Sequence, residues 1–453
     1  MRLAWFTPLP PELSGISAYS AELLPELATH YSIDIFTESP TSSVPARAER
    51  FNAHDFVWKH QQHPYDLAVY QLGNATCHDY MWPYLFRFPG LVVLHDGQLH
   101  LARARLLLQQ KRRSHYRTEL RFNHPDVKQE VADLGIAGLL GSLHYLWPML
   151  RTVVEASRCV AVHSPGLAAD LRAEFPEATI ADLGMGVAAG TPGASSGTIR
   201  ARHAIPENAV VFAAFGRITP EKRIKQILQA LAAIGGGETP IHLLLVGASA
   251  SYYDPVADAR SLGVSDRVTL TGFVDEADLA DYLESAEICL CLRWPSTRET
   301  SASWLRCLAA GRATIVTDLA HTVEVPSLDP RSWKLQHAPA IGEGAPDGHP
   351  VEPICVSLDI LDEDHSLRLA MRRLAQDAAL RSQLGHQAHE YWLRHHTLDR
   401  MVSEYRSLIE RALDTQPPVR PLPRHLRPDG LEHARALAAE AGYPENPLDP
   451  HTR

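Results

Sequence analysis

Short apolar runs alternate with amphipathic stretches along most of the chain. In the first half these runs are RLAWFT, YSIDIFT, DLAVYQL, GLVVLHD, RCVAVHS and ATIADLG, while stretches such as ISAYSAELLPELATHY have the periodicity of a helix. Near-continuous apolar strands that alternate with helices are typical of a parallel sheet covered on both faces. The first half of the chain therefore predicts a doubly wound α/β domain.

The same alternation restarts in the second half. The predicted strands are AVVFAAFG, IHLLLVG, RVTLTGF, AEICLCL and ATIVTD, and they are separated by predicted helices such as KRIKQILQALAAI and EADLADYLESA. Between the halves, GVAAGTPGASSG is small, flexible and polar, as linkers are. We predict one domain at residues 1–185, a linker at 186–206 and a second domain at 207–390.

The last part of the chain departs from this alternation. A proline- and glycine-rich stretch at residues 326–353 predicts an irregular insertion in the second domain. We expect a C-terminal helix at residues 391–414 that packs back on the first domain. Residues 415–453 carry many prolines and predict a tail.

Length and charge narrow the class of protein. A chain of 453 residues is too long for one ordinary domain, and 45% hydrophobic with 21% charged residues is ordinary for a soluble globular protein. The net charge of -10 argues against nucleic acid as the main partner, because phosphate binding needs a basic surface. No apolar run reaches the roughly 18 residues that span a bilayer. The start, MRLAWFTPLPPELSG, lacks the apolar core of a secretion signal, so we expect a cytoplasmic protein.

Cysteines and histidines predict no metal site. The six cysteines are scattered without the spacing of disulfides or metal ligands, so reduced thiols are expected. In HDGQLH, His95 and His100 are five positions apart, which differs from the i, i+4 spacing of a helical metal pair. Most of the 24 histidines are therefore expected to be ordinary surface or core residues, not metal ligands.

Two loops at predicted strand ends are suited to anions. In open α/β sheets, ligands bind outside the carboxyl ends of the strands. Gly15 in PELSGISAYSAEL precedes a predicted helix whose free N–H groups favour an anion, although a plain helix-entry turn is the alternative. In FGRITPEKRI, Gly216 ends a strand, and Arg217 and Lys222 follow in the loop. Two such cations suit a diphosphate, and solvated surface charges are the alternative.

Two further loops hold a histidine and a carboxylate. His95 ends the strand GLVVL, where its imidazole would face a cleft, or would be a satisfied core histidine. Glu299 follows AEICLCL and precedes a segment of small residues. We expect Thr300, Ser301 and Ala302 to offer backbone N–H groups there. A carboxylate at this place can accept hydrogen bonds from sugar hydroxyls, and an ordinary charge at a helix start is the alternative.

The order of these motifs resembles that of the family 4 glycosyltransferases. A glycine loop, a strand-end histidine, GRITPEK, LLLVG, LTGFV and PSTRE before a small-residue helix follow one another as in that family. The resemblance covers most of residues 1–410 and is strongest from Phe215 to Asp318. It implies the GT-B fold, in which two Rossmann-like doubly wound parallel-sheet domains face a central cleft. It also implies a retaining, metal-independent transfer of a sugar from a nucleotide-diphosphate sugar.

The resemblance implies roles for the residues that match the family's motifs. Arg217 and Lys222 would bind the donor diphosphate and stabilise the departing nucleotide, helped by backbone near Gly15. Phe273 and Val274, in LTGFV, would lie beside the nucleobase. These residues, with Gly216 at the strand end, form the predicted nucleotide site.

The remaining roles concern the donor sugar and the ribose. By the resemblance, His95 would contact the sugar near its 6-position, and Glu299 matches the first glutamate of an E-x(7)-E motif that holds sugar hydroxyls. The following loop reads ETSA where the family has E-G-F-G. Counted back from Gly311, Arg306 stands at the second glutamate, with six residues instead of seven between it and Glu299. An arginine cannot accept hydrogen bonds from a ribose. We therefore predict a variant enzyme with altered donor handling at this place.

The segment LARARLLLQQKRRSHYRTELRF reverses the charge of the acidic chain locally. It contains one acid, Glu119, and seven basic residues: Arg103, Arg105, Lys111, Arg112, Arg113, Arg117 and Arg121. This composition predicts a surface for an anionic membrane or for a lipid-diphosphate acceptor. A solvated helix face is the alternative.

The sequence as a whole predicts a retaining hexosyl- or related glycosyltransferase of cell-surface or extracellular polysaccharide or glycolipid synthesis. The expected partners are a UDP-, GDP- or ADP-linked sugar and a glycan or lipid-linked acceptor. No cofactor is expected, and no lysine motif for pyridoxal phosphate is present, which argues against a phosphorylase. The alternative from another class is a non-catalytic GT-B protein that binds a nucleotide sugar or a glycan and has lost turnover through Arg306.

Overall fold

The computed structural model describes most of the chain and divides it into two units. It describes residues 1–39, 47–190, 196–235, 239–319, 325–336, 351–419, 422–427, 438 and 441–442. The first unit contains residues 1–162, 168–182 and the chain from Tyr405 onward, and the second contains residues 163–167 and 183–404. Residues 191–195 of the predicted linker, 337–350 of the predicted insertion and most of the predicted tail lie outside the described residues.

The first unit is built on a seven-stranded parallel sheet with the order β3-β2-β1-β4-β5-β6-β7. Its strands are β1 (Arg2–Phe6), β2 (Ser32–Thr37), β3 (Ala48–Asn52), β4 (Leu67–Leu72), β5 (Leu91–Leu94), β6 (Cys159–Val162) and β7 (Ile180–Asp182). The helices of this half of the chain are α1 (Gly15–Leu27), α2 (Phe56–Gln62), α3 (Met81–Arg87), α4 (His100–Gln109), α5 (Arg113–Asn123), α6 (Gln129–Ile136), α7 (Arg151–Ala156) and α8 (Pro165–Glu174).

The second unit contains an eight-stranded sheet with the order β10-β9-β8-β11-β12-β15-β13-β14. Its strands are β8 (Val210–Phe215), β9 (Ile241–Val246), β10 (Val268–Leu270), β11 (Ile288–Cys291), β12 (Ala313–Thr317), β13 (Ser327–Leu328), β14 (Leu335–Gln336) and β15 (Cys355–Leu358). All pairs are parallel except β13 with β14. The later helices are α9 (Ser196–Arg202), α10 (Ile224–Ile234), α11 (Pro255–Ser261), α12 (Leu279–Glu284), α13 (Ala302–Ala309), α14 (Glu363–Gln376), α15 (Ala378–His395) and α16 (Leu398–Asp414).

Burial on both faces explains why the strands of the second unit are continuous apolar runs. All six residues of β8 are buried. Alternate positions point to opposite faces, so Phe212 packs in one core cluster and Val211 and Ala213 pack in another. Helices cover each face, as a parallel sheet requires. The predicted pair of doubly wound parallel-sheet domains is confirmed.

Some elements differ from the sequence-based expectation. The end of the predicted linker is helical, since α9 begins at Ser196. The edge strand β3 reads AERFN, and its mixed, half-exposed pattern does not stand out as a strand. The buried strand β15 was not predicted, because its short apolar run directly follows the proline- and glycine-rich stretch. Within the described ranges, no helix is both long and apolar enough to cross a membrane.

A buried ion pair stabilises the helices that follow β5. Arg103 on α4 donates two hydrogen bonds to Glu119 on α5, of 2.8 and 2.7 Å. Both side chains are buried, and the guanidinium lies 4.5 Å from the centroid of the Trp82 ring. His425 Nε2 lies 2.9 Å from the Glu119 carboxylate. Burial alone would raise the pKa of Glu119, but Arg103 and His425 outweigh it and lower that pKa to about 2.

Glu119→Gln should destabilise the first unit, because it leaves the Arg103 guanidinium buried without a counter-ion. Loss of one partner of a buried pair costs about 3–5 kcal/mol. The matched control is Asp133→Asn, which breaks the exposed Arg117–Asp133 pair and should cost at most about 1 kcal/mol. Urea unfolding followed by tryptophan fluorescence measures both variants. Equal unfolding midpoints for the two variants would contradict this account of the buried pair.

Candidate functional site

The loop after β8 carries the two cations predicted to bind phosphate. Gly216 has a φ of +87°, a left-handed backbone that favours glycine. The 3₁₀ turn Pro220–Lys222 brings the Lys222 ammonium back to the strand end, where it donates to the carbonyl oxygen of Phe215. Arg217 is exposed, and it makes no hydrogen bond or ion pair in the described part of the chain.

The Lys222 ammonium lies in a crowded, partly desolvated place. A Cβ added at Gly216 would lie 3.2 Å from Lys222 Nζ and 3.4 Å from Ser303 Oγ. Burial, followed by the nearby positive charge of Arg293, lowers the pKa of Lys222 to about 8. The amine is therefore largely protonated at neutral pH, and a bound anion would stabilise that charge.

Glu299 is held inside its own loop. Its Oε2 accepts hydrogen bonds from Thr297 Oγ1 at 2.6 Å and from Ser296 Oγ at 3.0 Å, and its Oε1 lies 3.0 Å from Arg293 Nε. Burial alone would raise the pKa of Glu299, but the Arg293 charge and the two hydroxyls lower it below its usual value. The carboxylate is therefore ionised at neutral pH. Trp294 N donates to the Glu221 carbonyl at 2.8 Å and ties this loop to the loop after β8.

The start of α13 faces the same region. Ser301 is the N-cap, and its side chain accepts a hydrogen bond from Trp304 N at 3.2 Å. The N–H groups of Ala302 and Ser303 have no acceptor in the described chain, as is usual for the first turn of a helix. Such groups favour a bound oxygen that carries negative charge.

These groups border one pocket of the second unit. Lys222 follows β8, Arg293 and Glu299 follow β11, and Ser301 and Ser303 belong to the start of α13. The pocket therefore combines two cations, an ionised carboxylate and a helix start at the carboxyl edge of a parallel sheet, where ligands of such sheets bind. Among the residues that the structure describes, no three His, Cys, Asp or Glu side chains are placed to hold a metal ion.

The predicted nucleobase and ribose residues do not border this pocket. Phe273 follows β10 and is exposed, whereas Val274 packs against one core cluster. Arg306 forms an ion pair with Glu276, which begins the 3₁₀ turn directly after that loop. The ion pair therefore ties α13 to the loop that carries Phe273.

The two predicted residues of the first unit lie at the carboxyl edge of its own sheet. Gly15 is the first residue of α1, not the residue before it, and Ser14 is the N-cap. No atom lies within 4 Å of a Cβ built at Gly15, so the backbone is open to approach there. His95 directly follows β5, and its Nε2 lies 2.8 Å from Gln71 Oε1. The His95 ring also meets the Tyr19 ring edge-on at 4.8 Å.

Sequence reasoning missed Arg293 and Gln71, which contact predicted residues, and Tyr405, which contacts Gln71. Arg293 was missed, although a basic residue directly after an apolar strand was a usable signal. Gln71 was missed too, although it is a polar residue within the fully buried β4. Its Nε2 donates to Tyr405 Oη at 3.1 Å, and Tyr405 Oη lies 2.7 Å from Tyr19 Oη. No sequence signal connects Tyr405 on α16 with His95.

Part of the second unit matches a known family. Residues 209–329 match the family model described as Glycosyl transferases group 1. The matched segment is well under half of the chain, but it contains β8, Lys222, Glu299 and α13. No curated protein matches the chain in sequence.

Solved structures share the fold over nearly the whole chain. Sucrose-phosphate synthase from Thermosynechococcus elongatus has a TM-score of 0.62 and 17% identity, covering 90% of this chain and 98% of its own. HepE from Anabaena, in complex with UDP and glucose, has a TM-score of 0.58 and 13% identity, with coverages of 90% and 99%. WaaG, a glycosyltransferase involved in lipopolysaccharide biosynthesis, has a TM-score of 0.56 and 15% identity, with coverages of 90% and 99%.

Fold and match together define the class of this protein. At these identities the likeness establishes the fold, and the GT-B architecture implied by the sequence resemblance is confirmed. The chain is therefore a GT-B protein whose second unit carries a segment of the Glycosyl transferases group 1 type.

The lowered pKa of Lys222 can be measured without any ligand. Because its pKa is about 8, Lys222 should lose its proton and become reactive as the pH rises through 8. Pulsed acetylation with acetic anhydride across a pH series, followed by peptide mass spectrometry, reports the fraction modified. Exposed Lys225 in α10 is the internal control. If Lys222 gained reactivity only at the pH at which Lys225 does, its ammonium would not be desolvated as described.

Proposed function

We propose that this protein is a retaining glycosyltransferase that moves a sugar from a nucleotide-diphosphate sugar to an acceptor. The observation that carries the proposal is the pocket at the carboxyl edge of the second sheet, where Lys222, Glu299 and the start of α13 meet. This pocket lies within the segment that matches Glycosyl transferases group 1. HepE structures were determined with UDP and with UDP-glucose, which supports a nucleotide-linked hexose or related sugar as the donor.

Positive charge at this edge is suited to the leaving group. Departure of a nucleoside diphosphate develops negative charge on phosphate oxygens, and fixed cations and N–H groups stabilise that charge. Arg217 offers a planar fork of donors, and Lys222 offers a point charge. With these groups in place, we propose that transfer proceeds without a divalent metal ion and without a cofactor.

We assign the other predicted residues to the sugar, the diphosphate and the nucleobase of the donor. Glu299 holds donor-sugar hydroxyls, Gly15 leaves room for the diphosphate, and Phe273 and Val274 lie beside the nucleobase. His95, oriented by Gln71, contacts the sugar. Arg306 anchors the nucleobase loop through Glu276, which is how we account for the reversed charge in this family 4 variant.

The acceptor is a glycan or lipid-linked saccharide of cell-surface or extracellular polysaccharide or glycolipid synthesis, and the reaction takes place in the cytoplasm. WaaG, which has the same fold, is involved in lipopolysaccharide biosynthesis, which supports such an acceptor. A non-catalytic sugar-binding protein is the competing function. It would bind nucleotide sugars without turnover, so an assay of transfer and hydrolysis separates the two.

The proposal is tested with a panel of UDP-, GDP- and ADP-sugars in the presence of EDTA. Wild-type protein should release nucleoside diphosphate from one of these donors. Arg217→Ala and Lys222→Ala should each weaken nucleoside diphosphate binding about ten- to a hundredfold, because each removes a charge-assisted contact. Lys225→Ala is the matched control from the same segment. Release of no nucleotide from any donor, or activity that returns only with a divalent ion, would contradict the corresponding part of the proposal.

An exposed apolar surface supports a membrane-bound acceptor. Four leucines at the end of α6 and after it are exposed to water. They are Leu134 (40% exposed), Leu139 (70%), Leu143 (53%) and Leu146 (67%). Exposed apolar side chains that form a contiguous patch mark interaction sites, and we propose that these four leucines, which are close in the chain, form one.

The neighbouring helix α5 supplies positive charge. Of the seven basic residues in the predicted segment, Arg103, Arg105 and Arg117 have carboxylate partners. Lys111, Arg112, Arg113 and Arg121 are exposed and have none in the described chain. The Arg117–Asp133 ion pair of 2.8 Å joins α5 to α6, directly beside Leu134. Apolar and cationic groups side by side fit an anionic bilayer, and we propose that this surface rests on one.

Vesicle sedimentation tests the proposed surface. Wild-type protein should bind vesicles of equal parts phosphatidylcholine and phosphatidylglycerol at low salt, and binding should fall steeply with salt. Leu139→Asp with Leu143→Asp should reduce binding by about tenfold or more, since burying each leucine contributes about 1.5–3 kcal/mol. The control is Leu361→Asp, which alters a leucine of the second unit that is 93% exposed. Equal binding by the double variant and the control would contradict the proposal.

A further inference from the structure

Both oxygens of the Glu299 carboxylate already have partners in the protein. Its Oε2 accepts from two hydroxyls, and its Oε1 pairs with Arg293 at 3.0 Å. The two oxygens of a carboxylate accept about four hydrogen bonds, so a sugar that donates two of them has to displace or share one of these partners. The two hydroxyls come from residues two and three positions before Glu299, so they move with the loop. Arg293 is the partner that can leave.

Arg293 is placed to serve another anion. Its backbone N–H donates to Thr317 Oγ1 at 3.0 Å, which fixes the main chain at the end of β11. Its side chain is 31% exposed and borders the same pocket as Lys222. The repulsion between these two cations contributes to the lowered pKa of Lys222. A guanidinium carries five N–H donors, more than one carboxylate oxygen can use.

The pocket carries more positive than negative charge. Its charged lining residues are Lys222, Arg293 and Glu299, so one carboxylate stands against two cations. A diphosphate entering the pocket would therefore compete with Glu299 for Arg293. An Arg–phosphate contact is bidentate and charge-assisted, and the diphosphate carries more charge than a carboxylate.

We propose that Arg293 is a further phosphate-binding residue that exchanges partners when the donor binds. In the free protein Arg293 pairs with Glu299, and in the donor complex it pairs with the diphosphate. The exchange releases Glu299 Oε1 toward the sugar hydroxyls, so that the carboxylate becomes available only when a donor is present. This inference rests on the proposed function and adds Arg293 and a binding order to it.

The exchange predicts opposite effects of two neutral variants on nucleotide affinity. Glu299→Gln frees Arg293 and should strengthen nucleoside diphosphate binding about three- to tenfold, a range near the upper end for a partly exposed ion pair. Arg293→Gln removes the contact and should weaken binding about tenfold or more. Turnover should fall in both variants, because Glu299→Gln also removes the charge that holds the sugar.

Isothermal titration calorimetry with UDP, GDP and ADP, carried out on the full chain, measures these affinities. In Arg293→Gln, adding Glu299→Gln should bring no increase, because no released guanidinium remains. Glu221→Gln is the matched control, since it removes a carboxylate from the adjoining loop without altering the ion pair. Arg293→Lys keeps the positive charge but loses the planar guanidinium that binds phosphate through two hydrogen bonds. Its nucleotide affinity should therefore lie between those of the wild-type protein and Arg293→Gln.

The outcomes separate the inference from the proposed function. If wild-type protein bound none of the three nucleotides, the proposed function would fail and the exchange with it. If wild-type protein bound one of them but Glu299→Gln gave no increase, or gave the same increase in the Arg293→Gln background, only the exchange would be overturned. Circular dichroism and thermal unfolding of each variant establish that affinities are compared between folded proteins.

Discussion

The parallel pairing of β8, β11 and β12 is the constraint on which the candidate site of the second unit depends. Parallel neighbours run in the same direction, so their carboxyl ends share one edge of the sheet. The register sets Ile288 beside Phe212 and Cys289 beside Thr314, which fixes where each following loop begins. These strands are buried on both faces and contain no charged residue, so the charged groups of the site follow at that edge. Residues far apart in the chain, such as Lys222 and Glu299, border one pocket for this reason.

At that edge, charged side chains are partly removed from water and lie near charges of the same sign. Lys222 is partly desolvated and lies near Arg293, and both effects lower its pKa to about 8. A fold gains no stability from such an arrangement, and perturbed groups of this kind concentrate where a ligand offsets the repulsion. Arg217 differs, because it is exposed. Arg217 and Lys222 therefore lie in different surroundings, although only a few residues of the chain separate them.

The sequence predicts some elements of this arrangement far better than others. Strands such as β8 and β11 follow from composition and length, because an apolar run this short, bounded by turn residues, is too short for a typical helix and favours a buried strand. The position of Glu299 at a strand end was predictable on the same basis. Which groups its carboxylate contacts was not predictable, because those contacts depend on the backbone path of the loop after β11. The ion pair of Arg306 with Glu276 joins residues 30 positions apart on different elements, and no spacing rule connects them.

That ion pair also determines which charges lie at the two ends of α13. Arg306 lies in the last turn of α13, where a cation interacts favourably with the helix dipole, while the opposite end keeps free N–H groups for an anion. Glu276 is the more exposed partner, and it directly follows the loop that carries Phe273 and Val274. A carboxylate is therefore present beside α13, and Arg306 fixes its position. The negative charge lies on the neighbouring loop, and the helix keeps the polarity that favours an anion at its start.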